Sequence, residues 1–142
     1  MTPDYTVQLN LPARYECLGI LGAVLAEMLR QVNPLPGGEQ TAYNVQLAAH
    51  EVCVNIVDHA YKGMDDGRIQ IVIALLETPA RLVISLTDQG AWFDISAVAE
   101  PDLHNPQVRG YGLFLIRRLV DEASYERGED GNQWRLVKYL EA

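Results

Sequence analysis

Cysteine is scarce. The 142 residues hold two, Cys17 and Cys53, each inside an apolar stretch and neither with metal-ligand spacing around it. That composition excludes a disulfide-stapled scaffold and favours buried thiols in a reducing compartment. Long apolar runs are missing as well, and none would cross a bilayer as a helix. The opening Met1-Thr2-Pro3-Asp4-Tyr5 has no basic segment followed by an apolar one, so a cytoplasmic chain without a secretory leader is expected. Positive charge is in short supply too: 11 Lys and Arg stand against 19 Asp and Glu, a formal net charge of −8. A protein that grips nucleic acid or an anionic membrane needs the opposite balance. A small anionic ligand stays compatible, because a nest of backbone N–H groups binds phosphate inside an acidic protein.

What is present is an ordinary globular composition, 49% hydrophobic and 21% charged, in a length suited to one domain spanning 1–142. Residues 5–11 alternate, with Val7, Leu9 and Leu11 on one side, and predict a strand. Residues 14–32 place Cys17, Ile20, Leu21, Val24, Leu25, Met28, Leu29 and Val32 at helical spacing. A second helix is expected over 41–60. Two strands, 68–77 and 81–87, are joined by Thr78-Pro79-Ala80, a connection short enough to make them an antiparallel hairpin. Residues 88–108 lack periodicity and read as a loop. A glycine-led helix at 110–121 and a closing hairpin, 125–127 with 133–140, complete the chain. Runs of adjacent strands rather than strict alternation predict a two-layer α/β sandwich with a mainly antiparallel sheet.

Three polar features stand out against this background. On the second helix, a rotation of about 100° per residue brings Glu51, Asn55 and His59 into an arc of roughly 80°, with Asn44 and Asp58 close by. A solvated face would account for such a stripe, but those usually carry lysine and arginine, and residues 41–61 contain neither. Asparagine offers a neutral oxygen suited to Mg²⁺, and a glutamate one turn earlier can polarise an attacking hydroxyl. Next, Asp88-Gln89-Gly90 begins where an alternating strand ends; it is either a plain turn or a carboxylate aimed at an exocyclic amine, with glycine admitting a flat ring. Finally, Arg109-Gly110-Tyr111-Gly112 feeds straight into a helix. Unpaired N–H groups and the helix dipole converge there, which suits phosphate oxygens, although a hinge or a cap uses the same residues.

Glu51-x-x-x-Asn55-x-x-x-His59-Ala60-Tyr61, then Asp88-x-Gly90-x-x-Phe93-Asp94, then Gly110-x-Gly112-Leu113-x-Leu115-Ile116 followed by Asp121-Glu122, resembles the anti-sigma-factor serine/threonine kinases. These belong to the ATPase superfamily shared by gyrase, Hsp90, histidine kinases and MutL. The resemblance covers nearly the whole chain. It implies the Bergerat, histidine-kinase-like fold, binding ATP and Mg²⁺ under a lid at about 95–108. It assigns Asn55 to the metal, Glu51 to the base, Asp88 to the adenine amine and Gly90 to the space for the ring. Arg109, Gly110 and Gly112 lie along the phosphates, and His59 supports the site. The implied partners are a STAS-domain antagonist, phosphorylated on serine or threonine, and a sigma factor, with a homodimer as the expected assembly.

A non-catalytic nucleotide-binding anti-sigma or scaffold module is the alternative, disfavoured by the presence of both Glu51 and Asn55. The catalytic domain of a histidine kinase is disfavoured because His50, His59 and His104 do not sit on a long N-terminal dimerisation helix.

Overall fold

A computed structural model of the chain describes residues 4–61, 63, 66–91, 111–129 and 131–141. Among these, five strands form one sheet. Strand β1 (Tyr5–Pro12) pairs with β2 (Arg68–Glu77), and β2 with β3 (Ala80–Asp88); β3 pairs with β5 (Gly131–Tyr139), which pairs in turn with β4 (Glu122–Gly128). Every one of these pairings is antiparallel, as the short connections predict for β2–β3 and β4–β5. Three α-helices among the described residues accompany the sheet: α1 (Leu18–Arg30), α2 (Gly38–Asn55) and α3 (Tyr111–Leu119), with α2 packed between the other two.

Period-two alternation decides which side of the sheet meets the helices. In β2, Ile69, Ile71, Ile73 and Leu75 are buried while Arg68, Gln70 and Val72 are exposed. Register then aligns inward-facing rows across the sheet. Leu9, Ile71, Leu86, Trp134 and Tyr125 form one; Val7, Ile73, Ile84, Leu136 and Ala123 form the next. These rows meet Leu21, Leu25, Leu29, Val45, Ala49, Val52 and Ile56 in a single core. Burying each large aliphatic side chain contributes about 1.5–3 kcal/mol, so one slip of register would lose several such contributions at once.

The third inward row is different. It runs Leu11, Ile69, Asp88, Asn132 and Arg127, so the apolar layer gives way to polar groups at the end of β3 and β5. The core stops there, and a polar site begins.

Helix boundaries shift from the sequence expectation in one consequential place. Residues 41–60 are not one regular α-helix: α2 ends at Asn55, and Ile56–Ala60 form a π-helical turn closed by the Tyr61 N–H bonding to the Ile56 carbonyl at 3.1 Å. Such wide turns recur at functional sites. The acidic Asp121-Glu122 pair also finds a role. It lies past the end of α3, where Asp121 accepts the Tyr139 N–H at 2.7 Å and pairs with Lys138 at 3.4 Å, and Glu122 accepts the Tyr139 hydroxyl at 2.7 Å. Both carboxylates fasten the β4–β5 edge.

Candidate nucleotide site

Asp88 is the last residue of β3 and is only 1% exposed. Its Oδ1 accepts two hydrogen bonds, from the Gly90 N–H at 2.9 Å and from Asn132 Nδ2 at 2.8 Å. Both bonds fall on the same oxygen, which leaves Oδ2 as the atom that can accept from a ligand. Burial pushes the Asp88 carboxyl above its ordinary range, opposed by the bonds from Asn132 and Gly90 and by the positive charge of Arg127.

Asn132 is the organiser of this corner. Its Nδ2 donates to Asp88 Oδ1, to the Gly90 carbonyl at 3.2 Å and to the Ala91 carbonyl at 2.9 Å. Its Oδ1 accepts from the Tyr125 hydroxyl at 2.8 Å and from Arg127 Nη1 at 3.0 Å. Arg127 Nη1 also donates to the Gly90 carbonyl at 3.1 Å. With acceptors around the nitrogen and donors around the oxygen, the amide has one favourable orientation.

The wide turn after α2 meets the same corner from the helix layer. The Ala91 N–H donates to the Ala60 carbonyl at 2.8 Å. A Cβ on Gly90 would lie 2.2 Å from that carbonyl oxygen, so glycine here answers to the Ala60 backbone. The sequence assigns Gly90 to the space for a flat ring; the Ala60 carbonyl stands on the side where its Cβ would be. Tyr61 adds a brace. Its hydroxyl donates to the Arg68 carbonyl at 2.8 Å and accepts the Gln89 N–H at 2.7 Å.

Asn55 and Asp88 come together. They line one niche of about 10 Å³ with Ile56, Ala60, Ala91, Tyr125, Asn132 and Trp134. The Tyr125 and Trp134 rings pack against each other with centroids 4.8 Å apart. Glu51 sits one turn before Asn55 on α2, and both are half-buried. His59 and Asp58, in the π-helical turn, are exposed, and the Tyr15 hydroxyl donates to Asp58. Gly112 is the second residue of α3. Arg109, Gly110, Phe93, Asp94 and the expected lid at 95–108 lie outside the described residues.

Reading the sequence by motif missed Asn132, Arg127, Tyr125 and Trp134. One signal was available: Asn132 shares strand parity with Trp134 and Leu136, so it points toward the core where asparagine needs partners.

The arrangement places a buried carboxylate and a neutral amide side chain on one niche. No cluster of three or more His, Cys, Asp or Glu side chains occurs among the described residues. That donor set does not build a cage of its own. It fits Mg²⁺, which keeps several waters and takes further oxygens from a nucleotide's phosphates.

Comparison with known proteins agrees with the fold. Residues 11–138 match the histidine kinase-like ATPase domain model. The chain is 31% identical over 144 residues to the serine-protein kinase RsbW of Bacillus thuringiensis (strain Al Hakam), covering 95% of this chain and 85% of that protein. RsbW of Bacillus anthracis matches equally. Among solved structures, the chain resembles the RsbU and RsbW domains of a Mycobacterium tuberculosis protein, with a TM-score of 0.69 at 22% identity over 97% of this chain, which spans about a third (32%) of that longer one. The histidine kinase domain of a blue-light activated histidine kinase from Erythrobacter litoralis follows, with a TM-score of 0.57 at 19% identity, covering 92% of this chain and 62% of that one. No helix among the described residues is long and apolar enough to cross a membrane. With the family model matching residues 11–138 and relatives 31% identical over 95% of its length, the chain belongs to the histidine kinase-like ATPase domain family.

Proposed function

We propose that the chain is a single Mg·ATP-dependent serine/threonine kinase domain, acting in the cytoplasm as an anti-sigma regulatory factor that phosphorylates a STAS-domain antagonist. The observation that carries this reading is the shared niche of Asn55 and Asp88, contributed by the helix layer and the sheet layer respectively. The 31% identity to serine-protein kinases over 95% of the chain supports the reaction class.

In this reading Asp88 Oδ2 accepts from the exocyclic amine of adenine, while Gly90 and Asn132 hold Oδ1 and so fix the carboxylate plane. Asn55 presents its amide oxygen to Mg²⁺. Glu51 receives the proton of the acceptor hydroxyl at its carboxylate, as a general base one helical turn from the metal-holding residue. Arg109, Gly110 and Gly112 bind phosphate oxygens through a guanidinium and the N-terminal N–H groups of α3. ATP supplies the phosphoryl group and Mg²⁺ neutralises its charge. A sigma factor is the second partner, and the working unit is a homodimer.

Incubation with Mg·ATP and a STAS partner tests the proposal. A phosphoryl mass increase on a serine or threonine of the partner is expected, abolished in Glu51→Ala although that variant still binds ATP. No transfer from protein shown to bind ATP would favour the non-catalytic module.

A further inference from the structure

We infer that Arg127 is a positioning residue of the purine site, acting through Asn132 and the Gly90 carbonyl to make Asp88 an obligate acceptor and thereby set the preference for a 6-amino purine. This rests on the nucleotide reading above.

Recognition of adenine by Asp88 requires an acceptor at Oδ2. An oxygen in place of the amine, as in hypoxanthine, would require a donor there instead. Whether Asp88 stays an acceptor depends on what surrounds Oδ1, and two donors converge on it, the Gly90 N–H and Asn132 Nδ2. Neither is held by Asp88 alone. Asn132 is anchored through its own oxygen by Tyr125 and Arg127, both from β4. The turn that carries the Gly90 N–H is anchored at the Gly90 carbonyl, which accepts from Arg127 and Asn132 together.

One guanidinium nitrogen therefore ties both donors of Asp88 to a neighbouring strand. Arg127 is also the charged group among the described residues that favours the ionised carboxylate against the cost of burial. The helix side of the niche contributes the neutral Asn55, Ile56 and Ala60. Arg127 reaches this position because its register partner is Asn132, on the inward face of an edge strand. It touches no atom that a reaction would change. Its role is geometric and electrostatic.

The test compares ATP with ITP, which differ at the recognised position, by calorimetry on the full chain. Wild type should prefer ATP. Arg127→Met should reduce that preference by about tenfold, the scale of one hydrogen bond to a charged group, and Arg127→Lys should restore much of it by returning the charge. Tyr125→Phe, which removes a single donor and keeps the ring, should reduce the preference about threefold. An unchanged ATP-to-ITP ratio in folded Arg127→Met overturns the inference. Should that variant fail to fold, an unchanged ratio in Tyr125→Phe does so. Wild-type protein that binds neither nucleotide overturns the functional reading itself, a result distinct from either.

Discussion

Asn132 and Asp88, 44 residues apart in the chain, are joined by a 2.8 Å hydrogen bond from the amide nitrogen of one to the carboxylate of the other. They are register partners on β5 and β3, facing inward in the row where the apolar core ends. Neither would be comfortable there alone: an unpaired buried carboxylate and an unpaired buried amide each cost free energy. Paired, they leave one carboxylate oxygen for a ligand.

Replacing Asp88 with asparagine should leave the fold intact. The new side chain keeps an oxygen for Gly90 and Asn132 and places an amide nitrogen where Oδ2 stood. Because burial raises the Asp88 pKa, the native state keeps its proton to a higher pH than the unfolded chain does, and above the raised value both are ionised. The Asp88 contribution to stability is therefore fullest at low pH and declines as pH rises from the ordinary carboxylate range through the raised value. The variant has no such decline. Urea unfolding from about pH 4 to about pH 7 should show wild type losing stability relative to Asp88→Asn. A variant more than about 1 kcal/mol less stable than wild type at pH 7 would contradict the assignment of both bonds to Oδ1.

Gly90→Ala should destabilise the protein by about 2 kcal/mol, because its methyl group would meet the Ala60 carbonyl. Thermal unfolding reads the change. Wild-type stability in this variant would mean that the turn and the helix end do not press together.

Glu51→Ala and Asn55→Ala should separate chemistry from metal binding. The first should bind Mg·ATP normally and transfer nothing. The second should lose the Mg²⁺-dependent part of the affinity along with transfer, by about 1–3 kcal/mol. Undiminished turnover in either variant removes that residue from the mechanism.

Cys53 should be inert. It is fully buried, and desolvation pushes its thiol up to about 12, so the reactive thiolate is negligible near neutrality. Of the two free cysteines, the half-buried Cys17 should account for the thiol that reacts with an aromatic disulfide reagent at about pH 8. Denaturation should then release both. Rapid native labelling of Cys53 would show that the α2 face opens readily.

Most of the fold was legible because its patterns are strong. Alternation in 68–77 and 81–87 and the short link between them gave the β2–β3 hairpin nearly to the residue. The two-layer, antiparallel reading followed from strand adjacency alone. The first helix was drawn too long, because residues 15–17 adopt a separate 3₁₀ turn before α1 begins at Leu18. The wide turn after Asn55 left no trace in the pattern, since apolar Ile56, Val57 and Ala60 suit an α-helix as well as a π-turn.

Asp88 and Asn55 were visible as motif residues. Asn132 was hidden by its surroundings, because an asparagine next to glycine reads as a turn until register shows it facing the core. Arg127 looked like an ordinary charged residue near a hairpin. Its partners come from residues 90 and 132, and a sequence read in order does not bring those together.

Parallel calorimetric titrations of ATP into wild type, Asp88→Asn and Asn55→Ala, each with and without Mg²⁺, probe the shared niche most directly. Wild type should bind with Mg²⁺-dependent affinity. Asp88→Asn should be weakened by about 1–3 kcal/mol whether or not Mg²⁺ is present, and Asn55→Ala only when it is. Wild-type protein giving no heat with Mg·ATP, or both variants binding as wild type does, would contradict the account.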